Sequence, residues 1–319
     1  MPAREITATV STAAGELTLA GDEALELTVD RQNTAAELTA QGLIDETPDS
    51  DTELEVSILD ERVFTGTLTD PQTTGDGRTK LRAYDAAREL KQATLTQTFE
   101  EARLNSIAAA AFAQAGVEYD LALDESRTSA EYSDKRCDKI VQKVADLGKG
   151  VWIVDPTNTV QITDDIGALT TEHQLESVID TSAGKATPAY QSVHIYGSSP
   201  ASAGAGNRTG GRRAMHLLAS APVSATAGEG DPTYTYIDDD IRTEEQAQNV
   251  ADRLYQELQA QQQGGWIDIV GDPTIRPYDT VTLPESLGGA QYLVSGVRHR
   301  LGIDNGFTTR IQCGGVIEA

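Results

Sequence analysis

A chain of 319 residues, 39% of them hydrophobic, is long enough for two or three domains with a sizeable core. Its 50 Asp and Glu against 25 Lys and Arg give a formal net charge of −25, which leaves no basic face for gripping nucleic acid. No run approaches the ~20 apolar residues of a membrane span, and the first ten residues lack the apolar core of a signal sequence, so the expectation is a soluble protein without membrane insertion.

In dilute buffer such a charge works against the compact state. At about 1 M salt the Debye length is only ~3 Å, and like charges on the surface hardly repel. The balance therefore suggests a protein built for molar salt.

The first elements read as β. Ile6, Ala8 and Val10 alternate, as do Leu25, Leu27 and Val29, then Leu54, Val56 and Ile58. Phe64, Gly66 and Leu68 follow, and Thr79, Leu81 and Ala83 come after the turn at Gly75-Asp76-Gly77. Short strands with tight turns predict an antiparallel β-barrel domain over residues 1–84. Residues 85–165 change character and predict a small α/β segment. A short helix near Ala86–Lys91 precedes one in which Leu104, Ile107, Ala108, Ala111, Phe112 and Ala115 keep helical spacing until Gly116. A third helix is expected after Ser133, through Ile140, Val141, Val144 and Leu147, then strands at Val151–Val154 and Thr159–Thr163.

Residues 166–319 predict a second β-barrel domain. Ser192–Tyr196 and Tyr234–Ile237 read as strands around a mobile connection within 197–232, formed by Gly197–Gly211 and Ala219–Pro232. A helix is predicted over 243–262. Thr243 and Gln246 form a capping box, and Ala247, Val250, Ala251, Leu254, Tyr255 and Leu258 make one apolar stripe. Four strands then close the chain: Trp266–Val270, Thr280–Leu283, Gln291–Val297 and Gly306–Gln312. The fold class is α+β, mainly β: two tube-like antiparallel β-barrel domains with an intervening small α/β segment.

Catalytic constellations do not assemble. His173, His194, His216 and His299 are scattered and fit no zinc or Cys/His spacing. His299, between Arg298 and Arg300, reads as a partly exposed polar residue. There is no nucleophile elbow, Walker loop or dinucleotide fingerprint, and Gly204-Ala205-Gly206 lacks the strand and helix of a phosphate cradle. Carboxylates are abundant, so Asp164-Asp165 and Asp238-Asp239-Asp240 prove little. The triplet precedes the Thr243 cap and reads as a helix-end or solvated-surface feature. Arg208, Arg212 and Arg213 cluster in the mobile connection, and Arg298, Arg300 and Arg310 near the last strands. They are expected to pair with nearby carboxylates or to meet acidic faces of neighbouring subunits. Cys137 and Cys313 read as small core residues, with a disulfide left open. No catalytic, cofactor-binding or metal-ligating residue is assigned, and no cofactor is expected.

Three stretches resemble the tail-hub (baseplate hub) proteins of tailed viruses and contractile injection systems, the group that includes the late control protein D family. Val63-Phe64-Thr65-Gly66 leading to Leu81-Arg82-Ala83-Tyr84-Asp85 and Leu90 resembles that family's F-x-G strand and A-x-D helix start. Ser133–Leu147 with Gly150-Val151-Trp152-Ile153 and Val160-Gln161-Ile162 resembles its helix, strand and hairpin. Glu244–Gln259, Gly271-Asp272-Pro273, Ile275 through Val281 and Tyr292 through His299 resemble its closing helix and barrel. Together they cover roughly residues 60–312, through short, degenerate motifs whose order carries the likeness. Tyr278 stands where the family commonly has Gly, so a different turn type is expected there.

The resemblance implies a structural virion protein, not an enzyme. It implies a homotrimer whose two barrels per subunit imitate a sixfold ring. One face would meet a tail tube or distal tail protein, the other a threefold spike or tip. DNA would pass an acidic lumen without specific binding, in the tail tip or baseplate of a halophilic virus assembled in the host cytoplasm. Two alternatives remain open at this point: a tail-associated glycan hydrolase using paired carboxylates, and a hexameric tail-tube or distal tail adaptor.

Overall fold

The computed structural model describes residues 7–12, 15–20, 25–30, 36–42, 48–73, 75, 78–123, 127–182, 190–200, 220–262, 264–302 and 306–316. The first part is β: β1 (Thr7–Thr12), β2 (Gly15–Ala20), β3 (Leu25–Asp30), β4 (Glu37–Gly42), β5 (Glu53–Ile58), β6 (Glu61–Leu68), β7 (Gln72–Thr73) and β8 (Thr79–Tyr84). Period-2 alternation puts Leu54, Val56 and Ile58 of β5 inside, with Leu38, Ala40, Leu81 and Ala83 from β4 and β8. Gly66 is required by close approach: a Cβ there would lie 2.3 Å from the Tyr84 carbonyl oxygen.

Then come α1 (Ala87–Gln92), β9 (Thr94–Arg103), α2 (Leu104–Ala115), β10 (Tyr119–Ala122), β11 (Arg127–Arg136), α3 (Cys137–Leu147), β12 (Val151–Val154) and β13 (Val160–Thr163). Gly116 ends α2 in the left-handed conformation, its N–H returning to the Phe112 carbonyl. β9 and β11 form an antiparallel ribbon that period-2 reading misses. The register slips at Glu101 and at Asp134, both with positive φ, and these bulges break the alternation. The third helix therefore starts at Cys137, not after Ser133, because Ser133–Arg136 completes β11.

The last part holds β14 (Glu172–Gln174), β15 (Asp180–Thr181), β16 (Ser192–Pro200), β17 (Ser220–Gly228), β18 (Thr233–Ile237), α4 (Glu244–Gln262), β19 (Gly264–Val270), β20 (Thr280–Thr282), β21 (Gln291–Gly302) and β22 (Gly306–Val316). Much of the expected mobile connection is strand: β16 and β17 pair from Ser192↔Gly228 to Pro200↔Ser220. Their Ser, Ala and Gly content hides an alternation in which Val223 and Ala227 are buried. Residues 201–219 lie outside the described residues.

The architecture is mainly β, with curled, largely antiparallel sheets and four helices among the described residues. A single sheet runs β2-β1-β5-β6-β8-β4-β3-β21-β22-β19-β15. Its halves join where β3 pairs with β21, Leu27 opposite His299 and Val29 opposite Val297. Each half has its own apolar cluster, but Leu301 and Phe307 at the β21–β22 turn reach into the first. A third cluster unites α1–α3 and β9–β13 with β16–β18 and α4, through Ile140, Val144, Val193, Ile195, Ala247 and Val250. The segment 192–262 thus shares an apolar core with residues 86–162.

Candidate functional site

A cavity of about 620 Å³ opens where the three clusters meet. Phe64 and Thr65 of β6, Asp85 ahead of α1, Trp152 to Thr157 of the β12–β13 hairpin, His173 of β14, the 273–279 loop and His299 of β21 all line it.

Most of its polar groups are committed locally. Asp155 Oδ1 accepts the N–H groups of Thr157 (2.8 Å) and Thr159 (3.0 Å), and its Oδ2 accepts Gln161 Nε2 (3.0 Å). Asn158 Oδ1 accepts the Ala86 N–H at 2.7 Å, pinning this hairpin to the start of α1. Asp279 Oδ1 accepts the Thr171 N–H (2.9 Å), while Oδ2 accepts the Arg276 N–H (2.7 Å) and meets His173 Nε2 (3.1 Å). That contact raises the His173 pKa above its ordinary value. The Arg276 guanidinium lies 2.8 Å from Glu61.

Two groups stand apart. Asp85 is 6% exposed; it takes backbone hydrogen bonds from Ala36 and Ala87 and makes no ion pair among the described residues. Burial pushes its carboxyl up to about 7 against the pull of those bonds. Thr65 is 5% exposed, and its hydroxyl, sealed from the cavity, has no hydrogen-bond partner among the described residues.

His299 corrects an expectation. It is 3% exposed, because β3 and β22 flank β21 on both sides, and its Nδ1 lies 2.9 Å from Thr309 Oγ1. Burial pulls its pKa down to about 4. Tyr278 likewise takes over the glycine conformation, with φ +77° at 4% exposure. The turn keeps the backbone a glycine would adopt.

The Asp238–Asp240 triplet is also more than a helix-end feature. Lys143 Nζ of α3 binds Asp238 at 3.0 Å and also Asp240, while the Tyr236 hydroxyl donates to Asp238 at 3.2 Å. Burial pushes the Asp238 carboxyl up, but the Asp240 N–H and Lys143 outweigh it and hold the group below its usual range. The cap of α4 comes from Thr243 Oγ1, which accepts the Gln246 N–H at 3.1 Å. Beside this knot Arg253 meets Asp146 at 2.5 Å, and Gln142 links Asp146 to the Trp152 indole N–H. Burial raises the Asp146 carboxyl to about 6.

The other residues singled out from the sequence do not converge. Asp165 caps a 3-10 turn through the Ala168 N–H (3.2 Å). Arg310 grips Asp268 with two 2.7 Å bonds and lies over the Trp266 ring at 4.4 Å. Arg298 and Arg300 lie on β21, and His194 on β16. Cys137 and Cys313 are free and buried. Arg208, Arg212, Arg213, His216 and Gly204-Ala205-Gly206 lie outside the described residues. No group of three or more metal-capable side chains occurs among the described residues, and no helix among them is long and apolar enough to cross a membrane. Sequence reasoning quoted Asp85 and Asp279 only inside longer motifs. Their signals were an acid at a strand-to-helix junction and one closing a Pro-Tyr turn.

The fold is shared with tail proteins. The chain is similar to the 43 kDa tail protein of prophage MuSo2 from Shewanella oneidensis, at 14% identity and TM-score 0.73 over 98% of each chain. It is similar to the tail protein from Neisseria meningitidis MC58 at 12% identity and TM-score 0.74, covering 97% of this chain and 96% of that one. It also resembles the E. coli c3393 protein, a type VI secretion component described as structurally similar to T4 tail proteins gp27 and gp5. There the identity is 9% and the TM-score 0.60, over 97% of this chain and 77% of that one. No family model matches the sequence, and no curated protein does.

Proposed function

We propose that this chain is a structural tail-hub protein of a virion: a homotrimer that joins a sixfold tail tube to a threefold spike or tip. What carries the reading is the near end-to-end agreement with two tail proteins, 97–98% of this chain in each case, so that the whole architecture is shared rather than one module. The two curled halves of the large sheet would be the tube-building modules, and three copies would present six of them. The charge of −25 suits a molar-salt setting and a lumen that repels DNA phosphates.

Sedimentation and negative-stain imaging in about 1 M salt test the assembly. The expected particle is a threefold ring of three times the 34.0 kDa chain mass. Sixfold rings would establish the adaptor reading instead. Release of sugar from host envelopes, lost on substituting a single carboxylate, would establish the hydrolase. Lysines replacing lumen-facing Asp or Glu should slow DNA ejection. The E. coli secretion component supports a second reading, a hub in an injection apparatus without a genome; nucleic acid in purified particles separates the two.

A further inference from the structure

The cavity at the junction of the three clusters has the size and composition of a ligand site. Phe64, Trp152, Ile275 and Pro277 are among the apolar side chains that line its roughly 620 Å³. Four carboxylates line it, from Glu61, Asp85, Asp155 and Asp279, against one guanidinium, that of Arg276. Three of the four are spoken for: Glu61 by Arg276, Asp155 by its own turn, Asp279 by His173 and two backbone N–H groups. Asp85 alone has no cationic partner at ion-pair distance among the described residues; Lys91 of α1 acts on it only from further away. Its carboxyl accepts the Ala36 and Ala87 N–H groups, but a buried carboxylate without a counter-ion remains costly in its charged form. The Thr65 hydroxyl is sealed inside the wall and offers the cavity no polar surface.

We propose that this cavity binds an aliphatic primary ammonium group, with Asp85 as counter-ion and the Phe64, Trp152 and Ile275 side chains around the alkyl stem. The chemistry follows from what is missing. A carboxylate ligand would face an excess of acids. A neutral apolar ligand would leave Asp85 without a counter-ion. An alkylammonium supplies up to three donors and a positive charge at the acidic end, and methylene groups for the apolar walls. A lysine side chain on a neighbouring tail component and a free polyamine both carry this group.

Trp152 lines the cavity, and Trp266 lies on β19, so Trp266→Phe leaves one fluorescent reporter at the site. The purified full chain with that substitution would be titrated with n-butylammonium, with n-butanol as neutral isostere, and with putrescine and Nα-acetyl-lysine amide. Saturable binding of n-butylammonium is expected, about tenfold or more tighter than n-butanol. Asp85→Asn should abolish the preference for the cation. Lowering the pH from about 8 to about 5 protonates Asp85 and should release the ligand in the parent chain. His173, held above its ordinary value by Asp279, gains charge over the same range, and Lys91 and Glu89 of α1 act on Asp85 from a distance; the fall must therefore shrink in Asp85→Asn. Equal binding of n-butanol and n-butylammonium, or an unchanged cation preference in a folded Asp85→Asn chain, would overturn the proposal. The isostere comparison needs no substitution in the cavity, so it stands even if the Asp85 variant fails to fold. Tighter binding of the lysine derivative than of putrescine assigns the site to a protein lysine, and the reverse order to a free polyamine. These measurements need no trimer and no tail, so their failure is separate from failure of the hub reading.

Discussion

At the α3–α4 contact Lys143 meets Asp238 and Asp240, and Arg253 meets Asp146, whereas at the central cavity Asp85 faces backbone N–H groups. Both regions join parts of the chain that are distant in sequence. The first does so with opposite charges, which hold Asp238 below its usual range although burial still raises Asp146 to about 6 beside Arg253, and the contact acts as a tie. The second leaves a carboxyl near neutrality in its titration and a hydroxyl without a bond. Pairing therefore matters beside burial: paired charge fixes a geometry, while a carboxyl without a counter-ion remains available to a proton or a ligand.

The largest expected effect separates the two regions directly. Lys143→Met strands Asp238 without its cation and leaves Asp240 only the Arg242 guanidinium at 3.9 Å, and breaking such a partly buried pair costs roughly 2–3 kcal/mol. Asp85→Asn removes no ion pair and should change stability near neutral pH by less than about half as much. Denaturant unfolding of both variants measures this. Similar losses would mean that the cavity is as tightly tied as the helix contact.

A second, smaller effect concerns pH within the cavity. The His299 pKa is about 4 when folded against 6.5 ordinarily, so its contribution is complete above pH 6.5 and is lost as pH falls towards 4. The Asp85 pKa is about 7 against 3.8, so its contribution is complete below pH 3.8 and is lost as pH rises through 7. The two slopes oppose each other across the shared interval. His299→Gln should therefore leave a chain whose stability falls as pH rises, relative to the parent, and Asp85→Asn one whose stability rises. Each difference should reach on the order of 2 kcal/mol across the interval. Taking differences from the parent profile cancels the background of a chain with net charge −25. Parallel profiles in all three proteins would show that neither group titrates as its burial dictates.

The regions also differ in how far they were legible. The tie was half visible: α3 and α4 announced themselves by apolar spacing, and Asp238-Asp239-Asp240 stood out as a charge run. What one dimension could not give was the partner, since Lys143 lies 95 residues from Asp238. The cavity was hardly visible, because its walls come from segments scattered between residues 36 and 299 and its distinctive group is a single acid at a strand end. β9 and β11 escaped for a local reason, since bulges at Glu101 and Asp134 shift the alternation by one residue. β17 escaped because Ser, Ala and Gly read as loop although they pair along the whole of β16.

The smallest effect tests how the backbone turn before Asp279 holds the cavity side in place. Tyr278, at φ +77°, bends the chain so that the Asp279 N–H returns to the Arg276 carbonyl (3.2 Å) and Asp279 Oδ2 accepts the Arg276 N–H. The left-handed backbone costs a residue with a Cβ roughly 1 kcal/mol, which the buried ring and the 2.9 Å bond from its N–H to the Val294 carbonyl offset. Tyr278→Ala loses the ring and keeps the strain; Tyr278→Gly loses the ring and the strain together. The glycine variant should therefore be the more stable of the two by about 1 kcal/mol, although glycine is ordinarily the worse residue for a folded chain. If alanine is equal or better, the turn relaxes when the ring is gone, and Asp279 owes its orientation to the packing of Tyr278 rather than to the backbone.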